Sequence, residues 1–126
     1  MQNILLVGLG GFCGSILRYL LGGFVQGLFK SSAFPWGTLG VNTAGCLLIG
    51  LVGGLADNGG ILPPAARVFI LIGLLGGFTT FSSFSYESLA LLRDREILLA
   101  AAYVSGHLIL GLGAAFIGYV ITTMRG

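Results

Sequence analysis

The residues that could do chemistry in this sequence are few, and most of them sit together. The run Gly76-Gly77-Phe78-Thr79-Thr80-Phe81-Ser82-Ser83-Phe84-Ser85, followed by Glu87, interrupts a long apolar stretch with hydroxyls and phenyl rings. Elsewhere in apolar surroundings stand Arg18, Asn42 and His107, the last near Tyr103 and Ser105. None of these patterns is that of an enzyme. The sequence has no His-rich cluster, nucleophile elbow or Walker loop, and a lone histidine without a carboxylate or thiolate nearby in sequence does not make a transition-metal site. Gly8-Leu9-Gly10-Gly11-Phe12-Cys13-Gly14 has the wrong spacing for a dinucleotide fingerprint and no βαβ context.

What these residues can do is take the place of water around an ion. Paired glycines followed by paired threonines disfavour a continuous helix. Carbonyls freed at such a break are ligands for a hard cation such as Na⁺. With helix resuming near Thr80, the residues Phe81, Phe84, Ser85 and Ser88 share one face, flanked by Thr80, Ser83 and Glu87. A phenyl ring is positive at its edge, so ring edges and hydroxyl or amide donors together could replace the hydration shell of a small anion. Two plainer readings compete: an unbroken helix whose hydroxyls bond back to preceding carbonyls, and a phenyl stripe that only fills a core.

The isolated polar residues carry similar alternatives. The Asn42 amide could donate two hydrogen bonds to an anion, or act as interhelical glue worth roughly 1 kcal/mol. Arg18 could snorkel to the headgroups or reach into a vestibule and attract anions. Glu87 could carry a proton or bond to neighbouring hydroxyls, and His107 could be a hydrogen-bonded interface residue. Cys13 and Cys46 both fall within apolar stretches and read as small packing residues rather than a disulfide.

The elements that must position these groups are membrane helices. With 126 residues, 56% hydrophobic and only 8% charged, the chain is too apolar for a soluble surface. Spans are expected at about 4–29, 39–56, 68–92 interrupted at 76–80, and 97–121, each meeting the roughly 20 residues needed to cross a bilayer. Sustained two-residue alternation is missing, which argues against a barrel. The first span lacks a basic leader and a clear cleavage site and carries Arg18, so it is expected to remain as a helix. Lys30-Ser31-Ser32, Asp57-Asn58-Gly59-Gly60 and Arg93-Asp94-Arg95-Glu96 mark helix ends and loops, and Pro35-Trp36-Gly37 suits a headgroup-level entry turn. The whole of 1–126 is expected to be a single transmembrane domain, with no basic cluster for nucleic acid.

Basic residues divide almost evenly between the two sides: Arg67 and Arg125 against Lys30, Arg93 and Arg95. So weak a bias is expected to let the chain insert both ways and pair as an antiparallel, dual-topology homodimer. Gly10, Gly14 and the stripe Tyr103, His107, Gly111, Ala114, Gly118 offer small-residue surfaces for assembly, the alternative being that these glycines only pack helices within one subunit.

Four blocks together resemble the small bacterial fluoride channels, also known as the camphor-resistance family, over essentially the whole length. They are 10–19, then Pro35-Trp36-Gly37-Thr38-Leu39 with Asn42 and Gly45, then 76–85 with Glu87, and Tyr103. The resemblance implies a multi-pass protein of the bacterial plasma membrane, an antiparallel dimer with two fluoride paths, and a structural, untransported Na⁺ held by the carbonyls of Gly76 and Thr79. It implies that Asn42 lines the path, that Phe81 and Phe84 meet fluoride, and that Thr80, Ser83 and Tyr103 lie close by. His107 and Gly111 stand where hydroxyl residues are expected on the pore-facing stripe. A dual-topology multidrug or cation exporter is the alternative, but such a protein usually carries an acidic residue in span one, where this chain has only Arg18. A purely structural membrane subunit would explain the glycines and leave the Ser, Thr and Phe concentration without a reason.

Overall fold

The structure, a computed structural model, describes residues 1–30, 32–57 and 61–124. Ser31, Asn58-Gly59-Gly60, where the sequence suggested a turn, and Arg125-Gly126 lie outside the described residues. Among the described residues every regular element is helical: α1 (Gln2–Leu28), α2 (Trp36–Asp57), α3 (64–78), α4 (Phe81–Arg93) and α5 (Ile97–Thr123). Segments α3 and α4 form one span, Pro64–Arg93, giving four segments long and apolar enough to cross a membrane. Leu5, Phe12, Phe24, Leu98, Ile109 and Phe116 are among the large apolar side chains left on the surface. Such a surface is stable only in lipid.

Local chemistry sets the boundaries. Pro35 immediately precedes α2 and Pro64 opens α3, both at positions where a missing N–H costs nothing. The carboxamide of Gln26, on α1, accepts from the Gly37 N–H (3.0 Å) and donates to the Phe34 carbonyl (3.3 Å), which caps the start of α2 and fixes the preceding turn. The Arg67 guanidinium donates to the carbonyls of Ala56 (2.8 Å) and Leu62 (3.2 Å), closing the exposed end of α2. Between its α-helical first and last turns, α3 winds as a π-helix over Val68–Leu74.

Glycines set the packing. A Cβ on Gly10 would sit 2.5 Å from the Phe69 carbonyl, and one on Gly77 would sit 2.6 Å from that of Gly11, so α1 and α3 meet backbone to backbone. Gly50 faces the Ala115 carbonyl and Gly118 faces that of Leu47, which joins α2 to α5 in the same way. The expectation that Gly10, Gly14 and Gly118 serve contacts between subunits is therefore corrected: all three are buried within one chain. The reason is general, since apolar side chains gain nothing by leaving lipid for each other, and close backbone approach has to supply the cohesion. Gly50→Val should accordingly separate α2 from α5 and abolish a single symmetric elution peak in detergent. Gly53→Ala, on the same helix with nothing within 4 Å of the added carbon, should elute like the parent.

Candidate functional site

The interruption of the third span is narrower than the 76–80 expected. Gly76 and Gly77 remain helical, and only Thr79 (φ −85°, ψ 156°) and Thr80 (φ −148°, ψ 114°) are extended. Gly77 is needed for contact with α1, whereas a Cβ on Gly76 would face open space. The break ends cleanly on both sides. The Leu75 carbonyl accepts from the Thr79 N–H (3.0 Å) and from the Thr79 hydroxyl (2.9 Å). Thr80 is the N-cap of α4: its hydroxyl oxygen accepts from the Ser83 N–H (3.2 Å) while its O–H faces Ser83 Oγ (3.1 Å) and Ser82 Oγ (3.2 Å).

Two extended residues inside a membrane leave backbone groups that no helix satisfies. Asn42, nearly two turns into α2, meets this need. Its Oδ1 accepts from the Thr80 N–H (2.8 Å), and its Nδ2 donates to the Thr80 carbonyl (3.0 Å) and to His107 Nε2 (3.2 Å). Both amide hydrogens are thus engaged, so Asn42 builds the site rather than offering free donors to an anion. Because the Thr80 N–H turns to Asn42, it cannot close a helical bond onto the Gly76 carbonyl. Gly45 lets α2 come this near, since a Cβ there would strike the Thr79 methyl group.

The rings assemble around this clasp. Phe84 packs on His107 (centroids 4.4 Å) and Tyr103 (5.6 Å), and Phe81 lies 5.5 Å from Phe84 at the outer edge, 79% exposed. Tyr103 is fully buried and makes a T-shaped contact with His107. Asn42, Thr79, Thr80, Phe81, Phe84 and His107 all line one open cavity of about 370 Å³, which Gly76 also borders. Ser83 faces the other way, into a second cavity of about 270 Å³ with Ser15, Arg18, Tyr19 and Thr38; Thr80 borders both. Arg18 therefore stands apart from the rings, in this second, polar cavity. Ser85 and Ser88 do not contribute free donors, because each bonds back to the carbonyl four residues earlier.

Two groups outweigh what their sequence positions suggested. Glu87 is held at both oxygens, by the Thr38 hydroxyl (2.9 Å) and the Tyr103 hydroxyl (2.5 Å), tying α2, α4 and α5 together beside Ser83. Gln26 passed unnoticed; its signal was a carboxamide within an apolar span, the same signal that singled out Asn42. Among the described residues no group of three or more His, Cys, Asp and Glu is placed to hold a metal. What the break offers a cation is backbone carbonyl at the C-terminal, negative end of α3.

Comparison with known proteins agrees with this architecture. A family model described as CrcB-like protein, Camphor Resistance (CrcB), matches residues 5–119. The chain is 54% identical over 119 residues to a protein of Thermus thermophilus called fluoride-specific ion channel FluC, covering 94% of each chain. It is 44% identical over 124 residues to a protein of the same name from Chlorobaculum tepidum, and 42% over 124 residues to one from Methylobacillus flagellatus; each match covers 98% of this chain and 97% of the relative. With the family model reaching into all four spans and the relatives aligned nearly end to end, the chain belongs to the CrcB-like, camphor-resistance family.

Proposed function

We propose that this protein is a fluoride-specific channel that lets fluoride leave the cell passively across the bacterial plasma membrane. The observation that carries the reading is that relatives matching almost the whole chain bear that name. The geometry supports it. Fluoride is small and strongly hydrated, and it leaves water only where several donors replace its shell. The Ser83 hydroxyl, whose own proton is left free by the bond it accepts from Thr80, and the edges of Phe81 and Phe84 are neutral, so they can coordinate the ion without trapping it, while Thr80 orients Ser83 and Tyr103 stays bonded to Glu87 close by. Arg18 gathers anions in the polar cavity, while Asn42 and His107 shape the wall at the break. Hydrogen fluoride, being neutral, crosses lipid and dissociates inside. An inside-negative potential then expels the anion, with a driving force of about 2.3 kcal/mol per charge per 100 mV.

The exposed ring of Phe81 and the open cavity at the break fit a second copy of the chain packed against this face. An antiparallel, dual-topology homodimer would close the cavity on both sides. The carbonyls of Gly76 and Thr79 fit a structural Na⁺ there: oxygen donors suit a hard cation, Gly76 borders the cavity, and the helical donor to its carbonyl is diverted to Asn42. A bound cation would supply fixed positive charge opposite the C-terminal ends of two α3 helices.

The test is release of fluoride from liposomes containing the purified protein, with chloride as the control anion. Rapid fluoride release with negligible chloride release is expected. Equal passage of chloride, or no release, would defeat the channel reading.

A further inference from the structure

The hydrogen bonds around Asn42 have only one consistent direction. The Tyr103 carbonyl can only accept, so His107 Nδ1, 3.0 Å away, carries a proton. The Thr80 N–H can only donate, so Oδ1 of Asn42 faces it and Nδ2 faces His107. Because Nδ2 can only donate, His107 Nε2 must present a lone pair. Main-chain groups at the two ends thus fix every polarity between them, and they require a neutral imidazole protonated at Nδ1.

We propose that His107 is a positioning residue acting through Asn42: its Nε2 lone pair holds the carboxamide in the orientation that clasps both backbone groups of Thr80. This rests on the channel reading above, and it gives the one histidine of the chain a role distinct from touching the ion. A second proton on the imidazole would set Nε2–H against Nδ2–H at 3.2 Å, two donors facing each other. The ring is wedged between Phe84 and Tyr103 at centroid distances of 4.4 and 4.5 Å, so Asn42 is the partner that must yield. Releasing Asn42 frees the Thr80 backbone at the wall shared by both cavities. The titratable groups around the ring are Tyr103 on its own helix, Glu87 on α4, reached through the Tyr103 hydroxyl, and Cys46 on α2, which borders the same cavity. Conduction therefore falls as the imidazole gains its second proton.

The experiment measures fluoride release from proteoliposomes between about pH 7.5 and about pH 4.5, a window that contains the ordinary histidine range and extends well to its acid side, with protein-free liposomes subtracted at each pH. Wild-type flux is expected to fall roughly ten-fold toward the acid end, the cost of one unmet buried hydrogen bond. His107→Gln places an acceptor where Nε2 sits and does not titrate, so it should keep wild-type flux at the upper pH and show a flat profile. His107→Leu supplies no acceptor and should be reduced roughly ten-fold at both ends. A flat wild-type profile, or His107→Leu conducting like the parent, would overturn the proposal. The second measurement needs no variant: [¹⁵N]histidine labelling gives a single imidazole, whose nitrogen shifts report the tautomer. The Nδ1-protonated form is expected, and the Nε2-protonated form would overturn the proposal. Should the wild type pass no fluoride at any pH, the channel reading falls, while the tautomer still decides the hydrogen bond to Asn42.

Discussion

Replacing Phe81 and Phe84 together by isoleucine should reduce fluoride release from proteoliposomes about 100-fold or more, if each ring edge lowers the barrier by about 1.4 kcal/mol, a factor of ten apiece. Isoleucine keeps the apolar volume but has no positive edge to offer a partly dehydrated anion. The loss should not come from unfolding. Phe81 is 79% exposed in the single chain and contributes little to its packing. Phe84 is half-buried against Tyr103 and His107, a site where a branched aliphatic side chain can repack. Elution volume and chemical cross-linking of the double variant should match the parent while flux vanishes. Parental flux would show that the rings serve only as packing.

The second large effect is expected from Asn42→Leu, and it combines stability with conduction. Leucine has nearly the same size, yet it leaves the Thr80 N–H and carbonyl without the partners that Asn42 gave them at 2.8 and 3.0 Å. Each orphaned group costs about 1–3 kcal/mol, and water cannot enter freely at this depth to relieve it. The chain should respond by refolding the break, losing flux and lowering the temperature of unfolding in detergent. Hydrogen exchange gives the site-specific check: the Thr80 amide, protected in the parent, should exchange much faster in the variant. Slow exchange at Thr80 with normal flux would show that the break is held by its flanking helices alone. Asn42→Asp is a useful companion, because a carboxylate retains the acceptor for Thr80 N–H but supplies neither donor.

The spans were legible in the amino-acid sequence, the interior of the third one less so. Four apolar stretches of bilayer length leave little freedom, and the observed helices start and stop within a few residues of those expected. The break was signalled by two glycines and two threonines, but the glycines turned out to be helical. Glycine lowers helix propensity, yet here Gly77 is demanded by the approach of Gly11, and tertiary packing overrides propensity. Thr79 and Thr80 alone carry the extended backbone because Asn42, far away in sequence, supplies what a helix would have supplied. Such a pairing has no periodic signature. The same holds for Glu87, whose partners Thr38 and Tyr103 come from two other helices. Arg67, counted as a loop charge, also caps the end of α2, a role with no sequence signature. Residue types announced the candidate site, then, while their division between two cavities emerged only from the fold.

The glycine seams between α1 and α3 and between α2 and α5 have a thermal consequence. A soluble bundle derives its curved stability profile from the heat capacity of apolar surface that meets water on unfolding. Here helix separation exchanges contact between backbones for contact with acyl chains, and little apolar surface becomes hydrated. The stability of this bundle in a bilayer should therefore vary almost linearly with temperature. It should lack the low-temperature limb along which soluble proteins weaken, so chilling the membrane would tighten Gly10, Gly50 and Gly118 against their neighbours.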